Sequence, residues 1–216
     1  MIRIDLHVHT RYSGDCLTSF QAIIEACRRR GLGGVAITDH NRLEGALAFR
    51  EVAPFPVIVG EEVDTSEGEI IGLFLKEEIP RGLTPEETVT RIKEQGGLVY
   101  IPHPMDRVRR SALRRGALER ILDQVDAIEV FNARVTFPAD NEEARRYAQE
   151  HGLPQGAGSD AHTPGEIGRA YVEMEPFNDP EEFLRHLAQG RVVGRLSSPL
   201  VHLASTRAKL YRRLRG

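Results

Sequence analysis

The sequence contains no long run of apolar residues and little cysteine. No segment approaches the roughly 18 consecutive apolar residues that a membrane-spanning helix needs. The opening residues, MIRIDLHVHT, include neither the apolar stretch nor the small-residue cleavage site of a secretion signal. Cys16 and Cys27 are the only two cysteines, too few for a disulfide framework. These absences argue against a transmembrane segment and predict a cytoplasmic location.

The chain has the length and composition of one globular domain. Its 216 residues are 40% hydrophobic and 28% charged, which is ordinary for globular proteins. We find no internal repeat, low-complexity tract or linker. We therefore predict a single domain over residues 1–200, followed by a basic amphipathic tail over residues 201–216.

Charge is unevenly distributed along the chain, whose net charge is −3. Seven of the 29 Lys and Arg residues, and none of the 32 Asp and Glu residues, lie in 191–216. The acidic remainder does not suit a general nucleic-acid binder, so we expect no long duplex as a partner. Within the tail, Leu203, Leu210 and Leu214 fall on one stripe of a helix. This helix could bind RNA, an anionic lipid surface or the chain's own acidic body, and a solvated or self-packed helix is favoured.

Short apolar runs alternate with helix-like segments. Strands are predicted at 2–8, 34–38, 57–60, 69–75, 98–101, 126–131, 155–158 and 171–174. Thr18 with Gln21, and Thr84 with Glu87, fit capping boxes at helix starts. Alternating strands and helices indicate a largely parallel sheet, either doubly wound or closed into a barrel. The pattern alone does not choose between these two architectures.

Polar side chains cluster at the ends of the predicted strands. The histidines there are His7, His9, His40, His103 and His162, and the acids are Asp5, Asp15, Glu61, Glu62 and Asp160. In α/β folds the carboxyl ends of the strands carry the functional site. Imidazoles and carboxylates bind divalent metals, and crowded carboxylates require neutralising cations. About 0.3 His-x-His pairs are expected by chance, so the prediction of a metal site depends on agreement among four strand ends.

Six short motifs follow one another in order. They are Asp5-Leu6-His7-Val8-His9-Thr10, Ser13-x-Asp15, Thr38-Asp39-His40, Gly60-Glu61-Glu62, Pro102-His103-Pro104 and Gly158-Ser159-Asp160-Ala161-His162. In this order they resemble the PHP superfamily, named for polymerase and histidinol phosphatase. Residues 129–168 also resemble the additional motif of its stand-alone metal-dependent phosphoesterases. The resemblance implies a distorted (β/α)7 barrel with two or three divalent metals in its mouth.

The resemblance also implies the ligands of each metal. The first site would use His7, His9, Glu62 and Asp160; the second would share Glu62 and add His103, with Glu69 as a possible ligand; the third would use Asp15, His40 and His162. Asp15 and Glu69 stand where many or some family members have histidine, and Glu69 is otherwise read as a solvated acid at a strand start. A set richer in oxygen favours manganese or iron over zinc, without excluding zinc.

The leading hypothesis is a metal-dependent phosphoesterase acting on a small phosphorylated metabolite or nucleotide through a metal-activated hydroxide. Positive groups should bind the phosphate oxygens, and the candidates are Arg11, Arg134, Arg107 and Arg109. The alternatives are an exonuclease on short oligonucleotide ends and a non-catalytic module stabilised by metals. An amidohydrolase, which could use the same barrel and metals, is less favoured because a strand-end lysine for bridging the metals is absent. The oligomeric state is left open.

The expected substrate range follows from the length of one connection. Only 40 residues separate Glu62 from His103, and a strand and a helix account for most of them. Little chain is left there to build a lid. We therefore expect an open mouth and activity on a broad range of small phosphoesters.

Overall fold

The computed structural model describes residues 1–198 and 200–213. In these residues the strands are β1 Ile2–Val8, β2 Gly34–His40, β3 Val57–Thr65, β4 Gly68–Leu73, β5 Leu98–Ile101, β6 Ala127–Asn132, β7 Gln155–Gly158, β8 Ala170–Met174 and β9 Arg191–Gly194. The α-helices are α1 Phe20–Arg30, α2 Glu44–Arg50, α3 Pro85–Glu94, α4 Arg115–Ile121, α5 Pro138–Glu150, α6 Pro180–Leu187 and α7 Val201–Arg213. A short 3-10 turn, Leu122–Gln124, follows α4.

The strands form one mixed sheet in the order β7-β6-β5-β4-β3-β2-β1-β8-β9. The pairs β1–β2, β2–β3, β5–β6 and β6–β7 are parallel. By contrast, β4 and β8 each run antiparallel to both neighbours. The sheet is less parallel than the sequence pattern indicated because β3 and β4 are joined by a tight turn, and so short a connection permits only antiparallel pairing.

The sheet curls into a nearly closed barrel. After β7 the chain returns to the end of β1, where Val8 and Ala161 form a parallel bridge. The His9 N–H donates to the Ala161 carbonyl over 3.0 Å, and the Ala161 N–H donates to the His7 carbonyl over 3.3 Å. Strands β1 to β7 thus form the wall of the barrel, and β8 and β9 extend the sheet beyond β1. The expected distorted barrel is confirmed, and the doubly wound alternative is wrong.

The helix starts follow the predicted capping rules at one place and depart from them at another. Thr84 and Glu87 form the predicted capping box of α3. The N-cap of α1, however, is Ser19, whose hydroxyl accepts from the Ala22 N–H over 3.3 Å. Thr18 instead donates to the His162 carbonyl over 3.1 Å, which ties the loop before α1 to the chain after β7. The predicted cap at Thr18 was therefore wrong by one residue.

Two hydrophobic clusters stabilise the barrel. One joins strands to α1–α5 through buried side chains such as Ile23, Phe49 and Ile92. The other joins strand residues such as Leu6 to Phe183 of α6. Both cysteines are free and buried. Among the described residues, no helix has the length and apolar character required to cross a bilayer.

Helix α7 occupies the predicted basic tail, but its buried face differs from the predicted stripe. Leu203 and Leu210 are exposed, whereas Ser205 and Ala208 are buried. Leu214, the third residue of that stripe, lies outside the described residues. The helix therefore packs through small side chains and leaves its leucines in solvent.

Candidate metal centre

The nine predicted ligands lie together at one edge of the barrel. They are His7 on β1, His9 and Asp15 after it, His40 on β2, Glu62 on β3, Glu69 on β4, His103 after β5, and Asp160 and His162 after β7. Eight of them are buried, and the side chain of His40 is 20% exposed. Glu69 reaches this edge because β4 runs antiparallel, so that its first residues lie beside the end of β3.

Glu62 lies at the centre of the cluster. Its Oε2 is 3.2 Å from His7 Nε2 and 3.1 Å from His40 Nδ1, and its Oε1 is 3.0 Å from His103 Nε2. Burial alone would raise the pKa of Glu62, but the charges of His7 and His40 outweigh burial and hold the pKa well below its usual range. A carboxylate with different partners on its two oxygens has the arrangement of a bridging ligand.

The other donors surround Glu62 in overlapping groups. Asp160 Oδ1 is 3.4 Å from His9 Nε2, and Asp15 Oδ2 is 3.2 Å from His162 Nε2. The groups that could hold an ion, with ligand atoms within 4.8 Å of one another, are His7–Glu62–His103, His7–His9–Asp160, His9–His40–His162 and His40–Glu62–Glu69. The four groups overlap, since each shares at least one residue with another.

Several donor atoms in the cluster have no hydrogen-bond partner within the described part of the chain. They are both ring nitrogens of His9, Nδ1 of His103, Oε2 of Glu69 and Oδ1 of Asp160. Buried polar atoms without partners are costly, so such a set fits a site built to bind cations. Burial and the neighbouring His162 lower the pKa of His9 to about 3, which keeps its imidazole in the neutral form that binds metals. The residues therefore fit divalent metal ions.

Three further carboxylates at the strand ends hold the backbone and stay outside the cluster. Asp5 accepts from the N–H groups of Ser159 and Gly168 over 2.8 and 2.9 Å. Asp39 accepts from the N–H and the hydroxyl of Thr10, each over 2.6 Å. Glu61 faces away from Glu62 and accepts from the Ile79 N–H over 2.9 Å. The choice of Glu62 over Glu61 as the candidate ligand therefore agrees with its position in the cluster.

Sequence reasoning missed the role of Glu129, a buried carboxylate on β6. One oxygen lies 3.2 Å from His7 Nδ1, and the other accepts from the His103 N–H over 2.8 Å. Asn132 Nδ2 also donates to it over 2.9 Å. Glu129 thus fixes the orientation of His7 while His7 Nε2 faces Glu62. The available signal was a single acid within an apolar strand, Ala127–Asn132.

Two candidate ligands have a strained backbone. His103 has φ 32° and Asp160 has φ 52°, in the left-handed region that side chains with a Cβ seldom adopt. Such conformations persist where the surrounding structure holds them, and they cluster at functional sites. The His103 N–H donates to Glu129 over 2.8 Å, and the Asp160 carbonyl accepts from Arg134 Nη1 over 3.4 Å.

The two predicted phosphate-binding arginines lie in different environments. Arg134 is buried, and its guanidinium contacts His162 Nδ1, Ser205 Oγ at 2.6 Å and Glu166 Oε1 at 3.3 Å. The Arg11 guanidinium lies over the ring of Phe20, 5.4 Å from its centroid. Arg11 is not among the residues that line the cavity over the cluster. The structure thus brings Arg134 to the ligands and leaves Arg11 outside them.

Arg109 and Arg107 also have different partners. Arg109 Nη2 lies 2.6 Å from Asp160 Oδ2, and acidic neighbours raise the pKa of this guanidinium despite its burial. Arg107 instead pairs with Asp140 on α5 over 2.7 Å. Arg109 therefore faces the cluster, and Arg107 stabilises the loop that carries Arg109.

A cavity of 380 Å³ opens over the cluster and is partly walled by α7. Ser205, Thr206 and Lys209 of that helix line it, together with strand-end residues. Lys209 Nζ lies 3.4 Å from Asp15 Oδ2. The mouth is thus less open than expected, because the covering element comes from the C-terminal helix and not from the Glu62–His103 connection.

Comparison with known sequences gives two family matches and two close relatives. The family model described as PHP domain matches residues 5–101, and the model described as PHP-associated matches residues 138–192. An uncharacterized protein of Methanocaldococcus jannaschii is 42% identical over 146 residues, covering 61% of this chain and 82% of that protein. A second uncharacterized protein of that organism is 38% identical over 196 residues, covering 86% and 79%.

Comparison with solved structures supports the same fold. A two-domain protein of Bacteroides vulgatus, containing a predicted PHP-like metal-dependent phosphoesterase, aligns with a TM-score of 0.68 at 15% identity, over 96% of this chain and 69% of that chain. Endonuclease Q, solved with a 27-mer duplex substrate carrying an abasic lesion, aligns with a TM-score of 0.60 at 16% identity. That alignment covers 87% of this chain and 56% of the endonuclease. At such low identity these similarities show the fold alone.

Proposed function

The chain belongs to the PHP superfamily, and from that premise we propose that it is a divalent-metal-dependent phosphoesterase acting on a small phosphorylated metabolite or nucleotide. The convergence of nine imidazole and carboxylate donors around Glu62 is the observation that carries the proposal. The small cavity above these donors suits a compact substrate. The cytoplasmic location stays a prediction.

The nine donors would hold two or three divalent ions, grouped as the family resemblance implies. His7, His9, Glu62 and Asp160 would hold the first ion. Glu62, His103 and Glu69 would hold the second, and Asp15, His40 and His162 the third. Four carboxylates among nine donors favour manganese or iron, with zinc possible. When bound, such ions activate water near neutral pH and neutralise phosphate charge.

The chain's own residues would position the substrate and the ligands. Arg109, on the cavity wall, would keep its pair with Asp160 and donate a second N–H to a phosphate oxygen. Arg134 is a positioning residue in this proposal, because its guanidinium is already shared among His162, Glu166 and Ser205. Glu129 holds His7 in the orientation that directs Nε2 toward Glu62. A substrate-binding role for Arg11 stays a prediction.

The alternative is a nuclease acting on short oligonucleotide ends. The fold similarity to endonuclease Q and the exposed basic residues of α7 favour this alternative. The acidic body of the chain disfavours long duplexes. A non-catalytic, metal-stabilised module is less favoured because all nine donors are present.

The test is a substrate panel given to the protein loaded with Mn²⁺, Fe²⁺ or Zn²⁺, with metal content measured in parallel. The panel contains phosphomonoesters, phosphodiesters, nucleotide bisphosphates and short oligonucleotides with labelled ends. We expect hydrolysis of small phosphoesters by the wild type and none by His7→Ala. Preferred cleavage of oligonucleotide ends would favour the nuclease. A fully loaded protein that hydrolyses nothing on the panel would overturn the enzymatic proposal.

A further inference from the structure

Three cationic side chains line the cavity over the cluster: Arg109, Arg134 and Lys209. They differ in how firmly the surrounding protein holds them. The side chains of Arg134 and Arg109 are 4% and 18% exposed, whereas that of Lys209 is 61% exposed. This difference decides which of the three can change partners when a substrate enters.

The two arginines are committed to the protein. Arg109 contacts Asp160 at 2.6 Å and lies 3.6 Å from Asp106. Arg134 contacts Glu166 and Ser205, and it also donates to the Val201 carbonyl over 3.4 Å. Turning either guanidinium wholly toward a substrate would leave buried carboxylates without their partners, which is costly.

Lys209 is held more loosely. The ion pair with Asp15, at 3.4 Å, is the contact that its ammonium makes within the described residues. Asp15 also lies against His40 and His162, where a cation would neutralise its charge. An ion bound there would weaken the attraction between Asp15 and the ammonium, leaving Lys209 to face the cavity.

The helix that carries Lys209 is fixed at both sides of it. Ser205, one turn earlier, accepts from Arg134, and Arg212, about one turn later, donates to the Cys16 carbonyl over 3.1 Å and to the Arg11 carbonyl. The backbone of α7 is therefore positioned while the lysine side chain is largely exposed to solvent. This combination suits a residue that binds a ligand by a point charge.

We infer that Lys209 binds a non-bridging oxygen of the substrate phosphate, so that α7 is part of the substrate site. The inference rests on the proposed function, and it identifies the C-terminal helix as the source of one phosphate contact. Because this contact exists in both the bound substrate and the transition state, Lys209 contributes mainly to binding and little to the chemical step.

The test compares Lys209→Met with Arg207→Met, a matched loss of one positive charge on the same helix. Arg207 is exposed and lines a different cavity, beside Leu17 and Tyr211. Inorganic phosphate is titrated into the metal-loaded proteins by calorimetry, and KM and kcat are measured on the best substrate of the panel. We expect Lys209→Met to raise both KM and the phosphate Kd about tenfold, the effect of losing one charged hydrogen bond.

In the same comparison kcat should change little, Lys209→Arg should restore most of the phosphate affinity, and Arg207→Met should match the wild type. Equal phosphate affinity in Lys209→Met and Arg207→Met would overturn the inference. A fall in kcat without a change in KM would also contradict it. If the wild type hydrolyses no phosphoester, the proposed function fails, but the phosphate titration still decides the role of Lys209.

Discussion

The strand-end cluster and helix α7 contribute to the same cavity in opposite ways. The cluster consists of buried side chains on strands and short loops, fixed by carboxylates such as Asp5, Asp39 and Glu129. Helix α7 contributes exposed side chains from an element outside the barrel, held by a few hydrogen bonds to Arg134 and to the loop after β1. The candidate metal ligands thus belong to the barrel itself, whereas the proposed phosphate contact of Lys209 comes from a helix at its periphery.

This contrast has an energetic basis. Changing a buried donor removes a ligand and leaves the remaining charges of the cluster unbalanced. Changing an exposed residue of α7 costs one charged contact and leaves the cluster intact. Variants of the two regions should therefore separate metal binding from substrate binding. The largest effects are expected for residues of the cluster and the smallest for residues near α7.

The largest effect is expected for His7→Ala and Asp160→Asn. Each removes a buried donor, and the loss of metal catalysis should lower kcat/KM by more than about 1000-fold. Elemental analysis should show less bound metal, while circular dichroism should show a retained fold. A variant that keeps near-wild-type activity would show that the ligand assignment is wrong.

The second prediction concerns metal removal. A divalent ion at about 1000 times its Kd should stabilise the folded state by about 4 kcal/mol. For a chain of this size that corresponds to a Tm increase of roughly 8–16 °C over the chelator-treated protein. Calorimetry with and without EDTA measures it. Lys209→Met should keep this increase and His7→Ala should lose most of it, and an unchanged Tm in the wild type would argue against metal binding by the cluster.

The placement of most candidate ligands could be predicted because it depends on local patterns, whereas the barrel was predicted only from the resemblance of the six motifs to the PHP superfamily. Apart from Glu69, which begins a predicted strand, each donor follows or ends a short apolar run, so its position at the strand ends was visible in the sequence. Helix α2 escaped prediction because it is seven residues long and its N-cap, Leu43, makes no side-chain hydrogen bond. Strand β9 escaped because its four residues are exposed or half-buried.

The position of α7 could not be predicted from the sequence. The stripe of Leu203 and Leu210 suggested a buried face, but the helix packs through Ser205 and Ala208. Those small residues allow close approach to the barrel mouth, where Arg134 donates to the Ser205 hydroxyl. Arg134 and Ser205 are 71 residues apart in the sequence, and a local sequence pattern cannot predict a contact between residues so far apart.

The third prediction tests the support of the cluster with Glu129→Gln. The amide has the shape of the carboxylate but not its negative charge. It would replace the carboxylate that orients His7 and that accepts from the His103 N–H. Loss of such a supporting carboxylate should weaken metal affinity by about 10–100-fold. Competition with a fluorescent chelator measures this affinity.

The matched control for that variant is Glu61→Gln. Glu61 lies on β3, on the face opposite Glu62, and is as fully buried as Glu129. Burial raises the pKa of Glu61 to about 8. Its carboxyl is therefore largely protonated near neutral pH, and the amide replaces it closely. Equal losses of metal affinity in the two variants would show a general packing effect and would contradict the orienting role of Glu129.

The smallest predicted effect concerns the two buried thiols, one beside α7 and the other in the hydrophobic core. Cys16 lies under the Arg212 anchor of α7, and its Sγ donates to the His162 carbonyl over 3.2 Å, whereas Cys27 lies in the hydrophobic core. Burial raises the pKa of Cys27 to about 12 from 9.0, so its thiol stays protonated at pH 8. Since the folded pKa is the higher one, this thiol favours the folded state below about pH 9, and the advantage disappears as the pH rises toward 12.

Alkylation at pH 8 must therefore proceed through opened states of the chain, and the two cysteines report different openings. Iodoacetamide labelling followed by mass spectrometry should show Cys16 reacting faster than Cys27. Exposure of Cys16 requires the loop after β1 to separate from α7 and from His162, whereas exposure of Cys27 requires the hydrophobic core to open. Arg212→Met removes one anchor of α7 and should accelerate labelling of Cys16 about fivefold, the effect of one net hydrogen bond, with Cys27 unchanged. Equal acceleration at both cysteines would mean that the variant destabilises the whole fold. No acceleration at Cys16 would mean that α7 does not protect the loop, and the contrast between a rigid cluster and a more weakly held helix would be wrong.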